Sequence, residues 1–210
     1  MIKQAFFKHG WYYLYRIHSK KLNQIPVEYK NLKIYLNDML DNCPNKYFEI
    51  GPRGSQTRIK LDNLKIHKIE GHEVCNLAKQ ALNTDIKQTP HNKVQNYFLQ
   101  NDKKTIAVEA PIWLKKEELK NFKEMFNSEY PLTGHIDLIR NEDNHIWIWD
   151  YKPNAEKEKY ASTQVCLYTI MLSKRTNIPL EKFKCGYFNE KIAFIFKPQN
   201  IGTIQKILKD

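Results

Sequence analysis

The stretch LTGHIDLIRNEDNHIWIWDYK, residues 132–152, decides how the rest of the chain is read. Leu132 to Arg140 and His145 to Lys152 both alternate apolar and polar positions, the period of a half-buried strand. Asn141-Glu142-Asp143-Asn144 between them has turn composition, so the pair predicts a β-hairpin. Ile136 and Leu138 flank Asp137, which predicts a carboxylate facing away from two core side chains. In the second strand Ile146, Ile148 and Asp150 share one face, and Lys152 follows Asp150 on the same side. A hairpin can bring Asp137 and Asp150 together, and two carboxylates forced together repel unless a cation lies between them. Hard oxygen donors of this kind suit Mg²⁺ or Mn²⁺. Such an ion beside a lysine suits phosphodiester hydrolysis, because it activates water and neutralises charge on the phosphate. Taken alone, Asp150 and Lys152 read better as an ordinary surface pair on an edge strand than as a catalytic site.

Downstream, a helix is predicted from about Glu156 to Arg175, with Gln164 and Tyr168 one turn apart on one face. Strands over Cys185–Phe188 and Lys191–Lys197, with a tight turn at Asn189-Glu190, precede a closing helix over Asn200–Leu208. Upstream, Thr105–Leu114 reads as a strand and Lys115–Phe126 as a charged helical excursion. Gly71–Leu82 and residues 28–42 have helical spacing, Gly51–Arg58 reads as a loop, and Ile59–Ile69 alternates as short strands. Residues 3–20, dense in Phe6, Phe7, Trp11, Tyr12, Tyr13 and Tyr15, read as a helix. The layout is α/β: one central mixed sheet flanked by helices, with an N-terminal helical and aromatic region over residues 1–70 and a core over 71–210.

Gly-x-x-Asp at 134–137, Asp-x-Lys at 150–152 and Gln-x-x-x-Tyr at 164–168 together resemble the PD-(D/E)XK nucleases. The nearest resemblance is to the RecB-type branch, with the CRISPR-adaptation exonucleases and lambda-type exonuclease. It covers residues 71–197 well and the N-terminal third loosely. The resemblance implies a restriction-endonuclease-like core, with Asp137 and Asp150 as metal ligands, Lys152 as catalytic lysine, and Gln164 and Tyr168 supporting the site and the strand. Glu109 sits where the family carries an acidic residue on its first core strand. An upstream helix in the family carries a metal-binding His; here Gly71-His72-Glu73-Val74-Cys75 puts Cys75 at that place, with His72 as the substitute ligand. A helix-capping His and a buried Cys fit the same segment. Some relatives hold a four-iron cluster through cysteines. His9-Gly10 stand where the first would be and only Cys185 follows Tyr168, so no iron–sulfur cluster is expected.

Formal net charge is +11 and the sequence pI about 9.3, an excess that favours a polyanionic partner by counterion release. Cys43, Cys75, Cys166 and Cys185 are scattered, which argues against zinc and disulfide frameworks. With no membrane-length apolar run, the expectation is a reduced, cytoplasmic protein. The expected activity is metal-dependent DNA hydrolysis, exonuclease-like on single strands or ends, in repair, recombination or defence, with a helicase or other repair or defence protein as a further partner. The residues 1–70 region is expected to pack on the core and grip DNA, its aromatics serving as stacking platforms for single-stranded bases. His135 is expected to point away from Asp137. The alternative is an inactive nucleic-acid-binding or accessory subunit on the same fold.

Overall fold

A computed structural model of the chain describes residues 1–61 and 64–198. The predicted helix over Asn200–Leu208 lies outside them. Eight strands build the sheet: β1 (Ile2–His9), β2 (Trp11–His18), β3 (His67–Glu70), β4 (Thr105–Leu114), β5 (Leu132–Glu142), β6 (His145–Tyr151), β7 (Phe183–Phe188) and β8 (Ile192–Phe196). Among the described residues six α-helices accompany them: α1 (Ser19–Asn23), α2 (Lys30–Asp38), α3 (Glu73–Leu82), α4 (Pro90–Asn101), α5 (Phe122–Phe126) and α6 (Ala161–Thr176). Across the sheet the strands run β1-β2-β4-β5-β6-β7-β8-β3. Only β6 and β7 are parallel, and α6 makes the crossover that a parallel pair requires. This is the mixed α/β layout the sequence led us to expect.

The sheet buries both faces. Tyr15, Ile17, Ile139, Ile146 and Ile148 pack beneath α2 and α6, whereas Val108, Leu138, Trp147, Trp149 and Tyr151 pack beneath α3 and α4. The β5–β6 turn narrows to Asp143-Asn144, both in the left-handed region (φ 49° and 54°), which short polar side chains tolerate and which matches strand twist. Asn189 Oδ1 accepts from the Lys191 and Ile192 backbone N–H groups, closing the β7–β8 turn. The α6 crossover ends at Asn177, also left-handed, two residues before Pro179. Among the described residues no helix is long and apolar enough to cross a membrane.

Several expectations need correction. Residues 3–20 form the β1–β2 hairpin and the start of α1, not one helix. Phe7, Tyr15 and Ile17 are buried while Phe6, Trp11 and Tyr12 are exposed, so aromatics on both faces hide the period of two. Gly10 (φ +71°) makes the tight reversal between His9 and Trp11. The N-terminal region is thus part of the central sheet, with β2 paired to β4 through Arg16–Val108 and Ile17–Ala107. In Lys115–Phe126 the helical segments are a short 3₁₀ turn over Lys116–Glu118 and the five-residue α5, because Asn121 and Asn127 adopt left-handed backbone. Between Ile59 and Ile69 only His67–Ile69 is strand among the described residues, and α6 starts at Ala161 rather than near Glu156. Helix α4 was not foreseen, although Thr89-Pro90 is a helix start: Thr89 Oγ1 accepts from the Asn92 N–H and Pro90 occupies the first turn.

Candidate metal centre

Three carboxylates lie at one level across three neighbouring strands. Val108 pairs with Leu138 and Ala110 with Ile136, so the register sets Glu109 opposite Asp137. Leu138 pairs with Trp149, and one further step of the same register sets Asp137 opposite Asp150. At this level regular pairing lapses. Glu109 has φ +54°, a conformation that costs a residue with a Cβ on the order of 1–3 kcal/mol and is tolerated where the surroundings impose it. Alternation breaks with it: Ala110 and Ile136 pack toward α6, whereas Val108 and Leu138 pack toward α3 and α4. The sequence reading had Ile136 and Leu138 on one face; the distortion at Glu109 and Asp137 separates them.

Each carboxylate is held. Asp137 Oδ2 accepts the Tyr151 backbone N–H at 2.9 Å, a bond that stands where a strand-to-strand bond would otherwise be. Asp150 Oδ1 accepts from Gln164 Nε2 at 2.9 Å, and Glu109 Oε1 accepts from Gln95 Nε2 on α4. Lys152 Nζ lies 2.8 Å from Asp150 Oδ2, while its own backbone N–H donates to Phe188 O on β7. Tyr168, one turn beyond Gln164, presses its ring against the backbone of β5: a Cβ on Gly134 would fall 2.4 Å from Tyr168 Cε1. Gly134 is therefore required for a close approach. Glu109, Asp137, Asp150, Lys152, Gln164 and Tyr168 line one cavity of about 350 Å³.

His91, in the first turn of α4, completes the cluster. Its Nε2 lies 2.9 Å from Asp137 Oδ1 and 4.0 Å from Glu109 Oε1. The sequence reading did not single it out. The helix-start signal at Thr89-Pro90 could have found it, since it puts a histidine in the first turn of a helix. His72 stands elsewhere. It caps α3, with Nδ1 accepting from the Val74 N–H, and its ring lies 5.5 Å from that of Trp149. Cys75 is buried in the α3–α4 core. His135 is buried, its Nε2 2.9 Å from His9 Nδ1 and its ring stacked on Tyr13, and it lines the same cavity as Asp137.

The charges around the cavity depend on one another. The Asp137 carboxylate raises His91 to about 9 against the opposing pull of burial. Burial works to raise Asp137, but the His91 imidazolium and the Lys152 ammonium hold it below the usual carboxylate range. Burial, reinforced by Asp137, raises Asp150 to about 6 despite Lys152, and raises Glu109 to about 7. Lys152 is raised as well: burial opposes its charge, but Asp150 and Asp137 outweigh burial. An imidazolium thus neutralises the negative cluster, a task a divalent cation would perform more fully.

The residues fit such a cation. Ligand atoms of His91, Glu109 and Asp137 lie within 4.8 Å of one another. Asp150 Oδ2 is buried and faces Lys152 Nζ at 2.8 Å, leaving a carboxylate oxygen with a second lone pair for a cation. One imidazole nitrogen among carboxylate oxygens is a donor set for Mg²⁺ or Mn²⁺. With thiols absent from the cluster, zinc of the structural kind is disfavoured.

Comparison with known proteins agrees with this arrangement. No curated protein and no solved structure matches the chain. The family pattern of the PD-(D/E)XK nuclease superfamily matches residues 61–205, well over half of the sequence. That span contains β3 to β8, α3 to α6, and every carboxylate of the cluster, in a sheet of restriction-endonuclease-like form. The chain belongs to the PD-(D/E)XK nuclease superfamily.

Proposed function

We propose that the protein is a metal-dependent nuclease that hydrolyses DNA phosphodiester bonds, with exonuclease-like action on single strands or ends. One observation carries the reading: Glu109, Asp137 and Asp150 stand side by side across β4, β5 and β6, with His91 above them and Lys152 beside them, in one open cavity. Bound to His91, Glu109, Asp137 and Asp150, Mg²⁺ or Mn²⁺ would supply Lewis-acid activation of water and charge neutralisation at the phosphate. Lys152, kept protonated by the two aspartates, is placed to donate to a phosphate oxygen or to orient the attacking water. Gln164 fixes the rotation of the Asp150 carboxylate, and Tyr168 braces β5 under Asp137. Thr89, His91 and Asn92 bring the N-terminal end of α4, the positive end of its dipole, to the cavity. The Gln164–Tyr168 pair, which resembles that of the RecB-type branch, supports action on single strands or ends.

The test is incubation of end-labelled DNA with the protein in Mn²⁺, in Mg²⁺ and in EDTA. Cleavage with either metal and none in EDTA is the expected result. Binding of DNA without cleavage in any metal would overturn the reading in favour of a binding module.

A further inference from the structure

The β1–β2 hairpin and α4 leave a trench between them that opens directly from the metal cleft. Trp11, Tyr12, Tyr13, Asn92 and Glu109 line both the cleft and a second cavity of about 340 Å³ beside it. Arg16, Leu14, Gln88 and Asn96 continue from that cavity into a third. The floor is one face of the hairpin, whose register pairs Gln4 with Arg16, Phe6 with Leu14 and Lys8 with Tyr12. The facing wall, from Gln88 to Gln100, is rich in side-chain amides.

Two features of this floor need explanation. Phe6, Trp11 and Tyr12 are 65%, 73% and 58% exposed, and Phe6 and Tyr12 stack with ring centroids 5.3 Å apart. Water-exposed aromatic faces are costly on a protein that could bury them. Arg16, by contrast, is 8% exposed, and its Nε has no hydrogen-bond partner among the described residues. A guanidinium buried without a fully bonded partner is expensive, and its fork of donors fits a phosphate. Flat apolar rings beside a cation with a donor still open are what a single strand presents a match for: bases that stack and phosphates that need charge. A duplex keeps its base faces covered and offers the rings nothing to stack on.

We propose that this trench is the track of the single-stranded part of the substrate, with Phe6, Trp11 and Tyr12 stacking bases and Arg16 holding a phosphate as the strand enters the cleft. The proposal rests on the nuclease reading for the direction of travel, but binding can be measured without cleavage. The experiment is fluorescence anisotropy in EDTA with a labelled oligothymidylate and a blunt duplex, on wild type, F6A/Y12A and R16M, with circular dichroism as the check on folding. Wild type binds the single strand more tightly than the duplex. F6A/Y12A loses roughly tenfold or more on the single strand, so its preference collapses. R16M lowers the slope of log affinity against log salt on the single strand by about 0.7, the loss of one phosphate contact. Unchanged single-strand affinity in F6A/Y12A, or no preference in wild type, overturns the proposal. So does a wild type whose self-association is abolished by F6A/Y12A while DNA affinity is untouched, since the patch would then be a contact between copies. Cleavage of the same oligothymidylate in Mn²⁺ separates the two ideas: normal binding with no cleavage removes the nuclease reading and leaves the track standing.

Discussion

At the scale of the residue, a few positions carry more than their side-chain chemistry suggests. Gly134 belongs to the Gly-x-x-Asp motif that the sequence displays plainly, but its reason is visible only in space. A Cβ there would meet the rigid Tyr168 ring at 2.4 Å, and the ring is buried between Gly134 and Gly54 with nowhere to retreat. Gly134→Ala is therefore expected to destabilise the fold by about 1–3 kcal/mol, read as a lower urea midpoint. Asp137, Asp150, Lys152, Gln164 and Tyr168 were legible as a set because their motifs, in order, resemble those of the PD-(D/E)XK nucleases; strand and helix periods alone left Lys152, Gln164 and Tyr168 as ordinary surface residues. His91 was not, because nothing near it in sequence belongs to a motif. It reaches Asp137 only because α4 lays its first turn over β4 and β5. His91→Ala is expected to weaken Mn²⁺ binding by about tenfold or more in calorimetry, and His72→Ala to leave it near wild type. Equal effects at the two positions would contradict this assignment.

At the scale of the element, local pattern fails where both faces of a strand are aromatic. Residues 3–20 have nearly unbroken apolar and aromatic content, so helix and strand look alike; high β-propensity and Gly10 were the discriminating signals. The β5–β6 hairpin was readable because one turn and two clean alternations agree. Its break at Asp137 was not, since a left-handed Glu109 on the neighbouring strand leaves no trace in composition. The β1–β2 hairpin is fastened by a buried chain of rings. His9 Nδ1 lies 2.9 Å from His135 Nε2, and His9 Nε2 lies 2.8 Å from Asn45 Oδ1. Burial pushes both histidines below 6.5, His135 well below. The unfolded chain takes up protons at about 6.5 that the folded chain refuses, so stability is whole above that pH and lost as pH falls through it. The pair should therefore subtract from stability between about pH 7.5 and about pH 5.5, a range in which the raised Glu109 and Asp150 carboxyls add to it, so the urea midpoint of wild type minus that of His135→Gln should fall across this range. Identical slopes would show that the pair does not set the acid limit.

At the scale of the whole molecule, the match to the superfamily begins at residue 61, yet the sheet does not. Strand β2 covers β4, Tyr15 and Ile17 complete the core under α2, and Trp11, Tyr12, Tyr13, Arg53 and Ser55 form one wall of the metal cleft. Removing them would leave β4 as an unpaired edge with its core exposed. A fragment of residues 71–210 is therefore expected to unfold without a cooperative transition, whereas the full chain should show one. A stable, cooperative fragment would show that the N-terminal third is an independent addition. Mixed α/β architecture was legible from β4 onward, because alternation and helix spacing survive in β4 to β8 and α6; sheet order was not, because edges are set by contacts far apart in sequence. The proposed nuclease activity rests on the Asp137–Asp150–Lys152 cluster. The most direct measurement is single-turnover cleavage of end-labelled single-stranded DNA in Mn²⁺ by wild type, Asp150→Asn and Lys152→Ala, each shown to be folded by circular dichroism. Wild type is expected to degrade the strand and each variant to lose about a hundredfold or more in rate. Variants that cut as fast as wild type would place the chemistry elsewhere and contradict it.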